Sequence, residues 1–543
     1  MTITGQLVDL HTRRTYPAAV TIEDGRIAAI VELAEAPPRY IMPGFVDAHI
    51  HIESSMLVPT AFARLAVVHG TVATVSDPHE IANVCGMAGV HYMIDNARQS
   101  PFKFHFGAPS CVPATGFETA GAALDARAVA HLLADPDIWY LSEMMNYPGV
   151  LNSDPEVMAK IAAAHSMGKP IDGHAPGLRG TQAAAYAAAG ITTDHECFTL
   201  VEALDKVALG MHILIREGSA ARNFEALAPL LGLHPDKVMF CSDDKHPDEL
   251  VAHHINDTVR RALEKGYDLY DVLRAACINP VLHYRLPVGM LRPGDPADLI
   301  VVSDLTTLHI EQTWINGMLV AGNGTTLLPQ IEADIINNFN TNRRTPAHLA
   351  IKAVSDRPIR VIEAIEGQLI TNLLWAAPTI QGGYLVSDTT TDVLKMVVVN
   401  RYEPDIPVAI AFIRNFGLQQ GALASTVAHD CHNIIAVGVD DDSLCAAINA
   451  LIDNKGGIAV ARTATHIQTM SLPVAGLMSG GDGYAVAADY TRIDALAKKL
   501  GTPLHAPFMT LSFMALLVIP SLKLSDKGLF DGSAFEFVNV QEG

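Results

Sequence analysis

The sequence predicts an α/β protein: a metal-dependent (β/α)8 barrel, a small composite β-sandwich domain and an additional C-terminal α+β domain. Three observations carry this reading. Short apolar segments ending in polar residues alternate with Ala-rich helical stretches through residues 42–284, a rhythm that over ~250 residues suits a parallel barrel. The ionisable residues gather at the strand ends, where that fold places its active site. The segments on either side share a β-rich, turn-rich character and are expected to meet as one domain.

Taken in order, residues 1–41 give the first part of the sandwich. TGQLVDL and AAVTIEDGRIAAIVE carry β-branched residues around Asp24-Gly25, a hairpin signal. Residues 42–284 give the catalytic barrel, with strand ends at FVDAHIHIE, TVATVSDPHE, FHFGAPSCVPA, WYLSEMMNYPG, PIDGHAP, ITTDHEC and VMFCSDDKHP. Helical stretches between them include EVMAKIAAAHSMG and RGTQAAAYAAAG. Residues 285–336 complete the sandwich, with a turn at Asn316-Gly317, and residues 337–543 form the C-terminal domain, which opens on a polar linker, NNFNTNRRTPAHL.

At 543 residues the chain requires several domains. A hydrophobic content of 49% with 17% charged residues favours large buried interiors over disorder. The net charge of −21 argues against a nucleic-acid or anionic-membrane partner. Seven scattered cysteines without a C-x-x-C give no disulfide framework. The N-terminus lacks the apolar run of a signal peptide, and FMTLSFMALLVI, bounded by Pro507 and Pro520, is too short to span a bilayer. A cytoplasmic protein is expected, as a homo-oligomer (dimer).

The chemistry begins in PGFVDAHIHIESSM, residues 43–56. In a strand, Asp47, His49, His51 and Glu53 would all project the same way, and two imidazoles with two carboxylates on one face call for a cation. Further strand ends supply Glu143, His174, His195 and Asp243. Four imidazoles and two carboxylates suit a pair of divalent transition ions, with a bridging carboxylate favouring Mn2+ or Fe2+ and Zn2+ as the alternative. Most of the 23 histidines must be ordinary; His69, His91, His105, His131, His165 and His234 read as core or surface residues, and His253 and His254 as structural. Zinc base deaminases are excluded, because His51-Ile52-Glu53 has no P-C-x-x-C to follow it. The run SGGDG lacks the Lys-Ser/Thr ending of a phosphate loop.

The H-x-H strand, two later single histidines and the Ser-Asp strand end resemble the amidohydrolase superfamily of metal-dependent hydrolases. The run G-x-x-x-P-G-D-P-A-D-L at 289–299 is similar to that superfamily's re-entry into its sandwich. Most binuclear relatives bridge their metals with a carboxylated lysine on the fourth strand, where this chain has Glu143 and no lysine. That substitution, with SDPHEIANV, IDGHAPG, CSDDKHP and the C-terminal GALASTVAHDCHN, resembles the bacterial adenine deaminases. Cys431 stands where a serine is more usual in that family.

The resemblance implies hydrolysis of adenine to hypoxanthine and ammonia by metal-bound hydroxide at a binuclear centre, in purine salvage. It implies His49, His51, Glu143, His174, His195 and Asp243 as metal ligands, with Glu143 bridging and Asp243 doubling as proton shuttle. Asp244 leaves the shuttle open by one residue. Asp77 and Glu53 are the next candidates for proton transfer; His79, Glu80 and Asn83 are candidates to contact the base, against a reading as loop and helix capping. His429 and His432 either bind a metal or close the barrel mouth. The competing enzyme reading is another binuclear amidohydrolase acting on a cyclic amide or N-acetyl sugar, since fold and metals do not set the substrate. A catalytically silent barrel would be free to lose ligands, yet all six positions are filled.

Overall fold

A computed structural model describes residues 1–219 and 221–542. Its centre is a ring of eight parallel strands, Phe45–Ile50, Thr71–Ser76, Lys103–Ala108, Ile138–Met144, Ile171–Gly173, Thr193–Asp194, His212–Arg216 and Val238–Cys241. Nearly every residue in these strands is buried on both faces, as parallel sheets flanked by helices require. Seven of the eight correspond to the strand ends read from the sequence. The other, His212–Arg216, ends in an arginine instead of a histidine or acid, so a search for metal ligands passes over it.

Two seams close the ring. At one, the Thr192 N–H donates to the Ile171 carbonyl at 2.9 Å. At the other, the Asp243 N–H donates to the His49 carbonyl at 2.9 Å and the His51 N–H to the Asp243 carbonyl at 3.2 Å. This second seam brings both ends of the barrel sequence to one point.

The first strand departs from the expected simple alternation. It ends at Ile50, and Glu53 sits in a 3-10 turn spanning Ile52–Ser55 that is terminated by Met56 at φ 59°. Asp47 and His49 share a strand face, His51 enters from the strand's end, and Glu53 accepts from the Ile81 N–H at 3.2 Å. The physical reason is the change of backbone after Ile50, which breaks the period of two.

Beneath the ring, Asp47 ties the first strand to the last. It accepts from the Ser242 N–H at 3.1 Å, the Ser242 hydroxyl and the His254 Nε2–H at 2.9 Å. His254 in turn accepts at Nδ1 from the Thr71 hydroxyl at 2.7 Å, so its structural reading has a specific form. Asp47→Ala leaves these buried donors unpaired and is expected to cost about 2–4 kcal/mol, read as a lower midpoint in urea unfolding.

The flanking segments join in one sheet. Leu299–Val302 pairs antiparallel with Tyr40–Pro43, which runs parallel to Thr2–Asp9. Hairpins turn at Asp24-Gly25 and Asn316-Gly317, all four residues at positive φ. Gly44 joins Tyr40–Pro43 to the barrel; a Cβ there would lie 2.3 Å from a Val72 methyl.

Residues 331–345 carry no helix or strand. Beyond them, an eight-stranded sheet with edge strands Thr371–Ala376 and His466–Ser471 packs against the helix Asp441–Asn454. The stretch 508–519 is buried, with a helix at Pro507–Phe513. Among the described residues, no helix is long and apolar enough to cross a membrane. This domain grips the barrel mouth through Ser479, whose N–H donates to the Met56 carbonyl at 2.8 Å, and Asn433, whose amide donates to the Thr119 carbonyl at 2.9 Å.

Candidate metal centre

The strand ends deliver six side chains to one buried point. His49 Nε2 and His51 Nε2 lie 3.2 Å apart, and Asp243 Oδ1 lies 3.5 Å from the first and 3.1 Å from the second. Glu143 faces this group with Oε1, 3.4 Å from His51 Nε2. Its other oxygen, Oε2, lies 2.6 Å from His174 Nδ1 and 3.1 Å from His195 Nε2. One carboxylate thus spans two clusters of nitrogen donors.

These residues fit divalent ions. The Asp77 carbonyl, 3.1 Å from His51 Nδ1, can only accept, so that nitrogen carries the proton and Nε2 turns its lone pair inward. His51 Nε2, the other imidazoles and the two carboxylates meet at one buried point, a donor set that suits divalent cations. Subsets of these side chains place their ligand atoms within 4.8 Å of one another.

Sequence reasoning missed Arg216 and Glu196. Arg216 is buried and donates from Nη1 to Asp243 Oδ2 at 2.6 Å and from Nη2 to Glu196 Oε2 at 3.2 Å. Burial pushes the Asp243 carboxyl up; the Arg216 guanidinium and the His49 and His51 imidazoles more than reverse this and hold it well below the usual range. Burial acts likewise on Glu143, and His174 and His195 reverse it. The available signal was a charged residue closing a buried apolar strand, which is costly unless paired.

The other expected residues stand around this core. Asp77 Oδ2 is 3.1 Å from His79 Nδ1, and its Oδ1 accepts from the His79 N–H at 3.1 Å. Burial, aided by Glu80, pushes the Glu53 carboxyl up to about 7. Asp244 accepts from the Ser54 hydroxyl at 2.5 Å. His79 and Glu80 line the pocket above the candidate ligands; Asn83 is not among its lining residues, and its amide donates to the His79 carbonyl at 3.0 Å. The C-terminal domain contributes Leu369, His429, Asp430, Phe513 and Leu516 to the same wall.

A barrel that gathers histidines and carboxylates at its strand ends defines the amidohydrolase class, and residues 40–320 match the amidohydrolase family model. Residues 368–536 match the adenine deaminase C-terminal domain. Curated adenine deaminases are similar over the whole chain: that of Salinibacter ruber is 55% identical over 99% of this chain and 98% of its own. Those of Methanosarcina acetivorans and Borreliella burgdorferi are 53% and 47% identical, each over 99% of this chain and over 98% and 99% of their own. A solved β-aspartyl dipeptidase from Fervidobacterium islandicum overlaps 61% of this chain and 100% of its own at 15% identity, with a TM-score of 0.47. The chain belongs to the adenine deaminase family of amidohydrolases.

Proposed function

We propose that this protein hydrolyses adenine to hypoxanthine and ammonia, a purine-salvage step, using two divalent ions that are Mn2+ or Fe2+. The observation that carries the reading is Glu143, whose one oxygen faces His51 while the other faces His174 and His195. His49, His51 and Asp243 would hold one ion, His174 and His195 the other, and Glu143 both. Bound there, such ions supply Lewis acidity that makes water nucleophilic at neutral pH.

Asp243 is the base. Arg216 clamps Oδ2 and keeps the carboxylate ionised, leaving Oδ1 on the ligand side to take a proton from the attacking water. That proton goes to the purine ring nitrogen and stays there, and the second proton, from the hydroxyl added to the carbon, goes to the departing amine, so adenine and water give hypoxanthine and ammonia. Asp77 holds the His79 ring at the pocket wall. Met145, Leu369, Phe513 and Leu516 form its apolar side, which keeps bulk water from the reacting carbon.

The test is adenine turnover, followed by ultraviolet conversion to hypoxanthine, on apoprotein reconstituted separately with Mn2+, Fe2+ and Zn2+ and with metal counted. Activity is expected to track about two ions per chain. Full loading without adenine turnover overturns the substrate and returns the question to cyclic amides and N-acetyl sugars.

A further inference from the structure

The C-terminal loop 428–433 brings a second buried cluster to the pocket. Glu80 sits between His429 Nδ1 and His432 Nε2, one carboxylate oxygen on each. The group has the spacing of a metal site, but its hydrogen bonding assigns it otherwise. The Ala428 N–H donates to His432 Nδ1 at 3.1 Å, which leaves the ring proton on Nε2 as a donor to Glu80. His432 therefore has no lone pair for a cation on that side.

His429 is held just as firmly. Its Nδ1–H donates to Glu80, and its ring stacks on Phe513 with centroids 4.6 Å apart and planes at 13°. The remaining ring nitrogen, Nε2, is buried without a hydrogen-bond partner and lies 4.0 Å from Asp244 Oδ1. Next to it, Asp430 Oδ2 is also buried without a partner, while Oδ1 lies 3.8 Å from His79 Nε2. Both residues line the pocket that holds the ligand set. Burial lowers the His429 imidazole, but Glu80 and Asp244 more than reverse this and push it up to about 9, so Nε2 is a fixed donor beside the unpaired Asp430 acceptor, and the pair calls for a ligand that presents both an acceptor and an N–H.

We propose that Asp430 accepts from the N–H of the purine's five-membered ring and His429 donates to that ring's bare nitrogen, with Glu80 and His432 as positioning residues. This rests on the adenine reading above. The reacting amidine carbon must face the strand-end ligands, which leaves the ring N–H for the opposite wall supplied by the C-terminal domain. A base substituted at N7 or N9 has no such donor and leaves the Asp430 acceptor unpaired, so the site selects the unsubstituted base.

The experiment compares adenine, 7-methyladenine and 9-methyladenine on metal-loaded wild type, Asp430→Asn and His429→Gln, with metal counted in each. Wild type is expected to prefer adenine by about 100-fold or more in kcat/KM. Each variant is expected to lose about 10- to 100-fold in kcat/KM for adenine, mainly through KM, at unchanged metal content. Variants within threefold of wild type, or a wild type that uses 9-methyladenine as well as adenine, overturn the inference alone. The second result needs no variant to fold. A fully loaded wild type without adenine turnover overturns the deaminase reading and this inference with it.

Discussion

Glu143→Gln is expected to remove adenine turnover by on the order of 10³-fold or more and to lower the divalent metal retained below about two ions per chain. The carboxylate offers one oxygen to the His49–His51 side and the other to His174 and His195. An amide keeps the shape but loses the charge and turns one arm into a donor facing the nitrogens. The loss should therefore reach both clusters at once. Metal analysis after gel filtration, with kcat on the same samples, checks this. A variant that keeps full metal and near-normal kcat would show that the histidines and Asp243 hold the ions by themselves.

Asp243→Asn is the second large effect, with kcat expected to fall by on the order of 10³-fold, against about tenfold or less for Asp244→Asn. The neighbours differ in their partners, not in their burial. Asp243 reaches His49 and His51 with one oxygen and Arg216 with the other. Asp244 is engaged by the Ser54 hydroxyl and faces His429 from 4.0 Å. Equal losses in kcat would move the proton-transfer role away from Asp243 alone.

The candidate ligand set was legible as a pattern because it is local. His49 and His51 lie two residues apart, and Glu143, His174, His195 and Asp243 each close or follow a short apolar strand. Patterns of that kind follow from backbone period and from the rule that buried charge needs a partner. The adenine deaminase family was legible from the same residues, with Glu143 in place of lysine. Arg216 was legible only as a charged residue closing an apolar strand, since a cation there has no metal-ligand signature. Its meaning comes from Glu196 and Asp243, which reach it from the strands on either side.

By itself, then, the sequence determined seven of the eight barrel strand ends, the residue types gathered there and the divalent chemistry they suit. The tertiary structure decided which oxygen of each carboxylate faces what. It alone pairs Asp243 with His49 across the barrel seam, stops the first strand before Glu53, and brings His429 to Glu80 from 349 residues away. Periodicity records what a residue's own neighbours require. Contacts across a closed ring and between domains depend on how whole elements pack, and no local pattern encodes that.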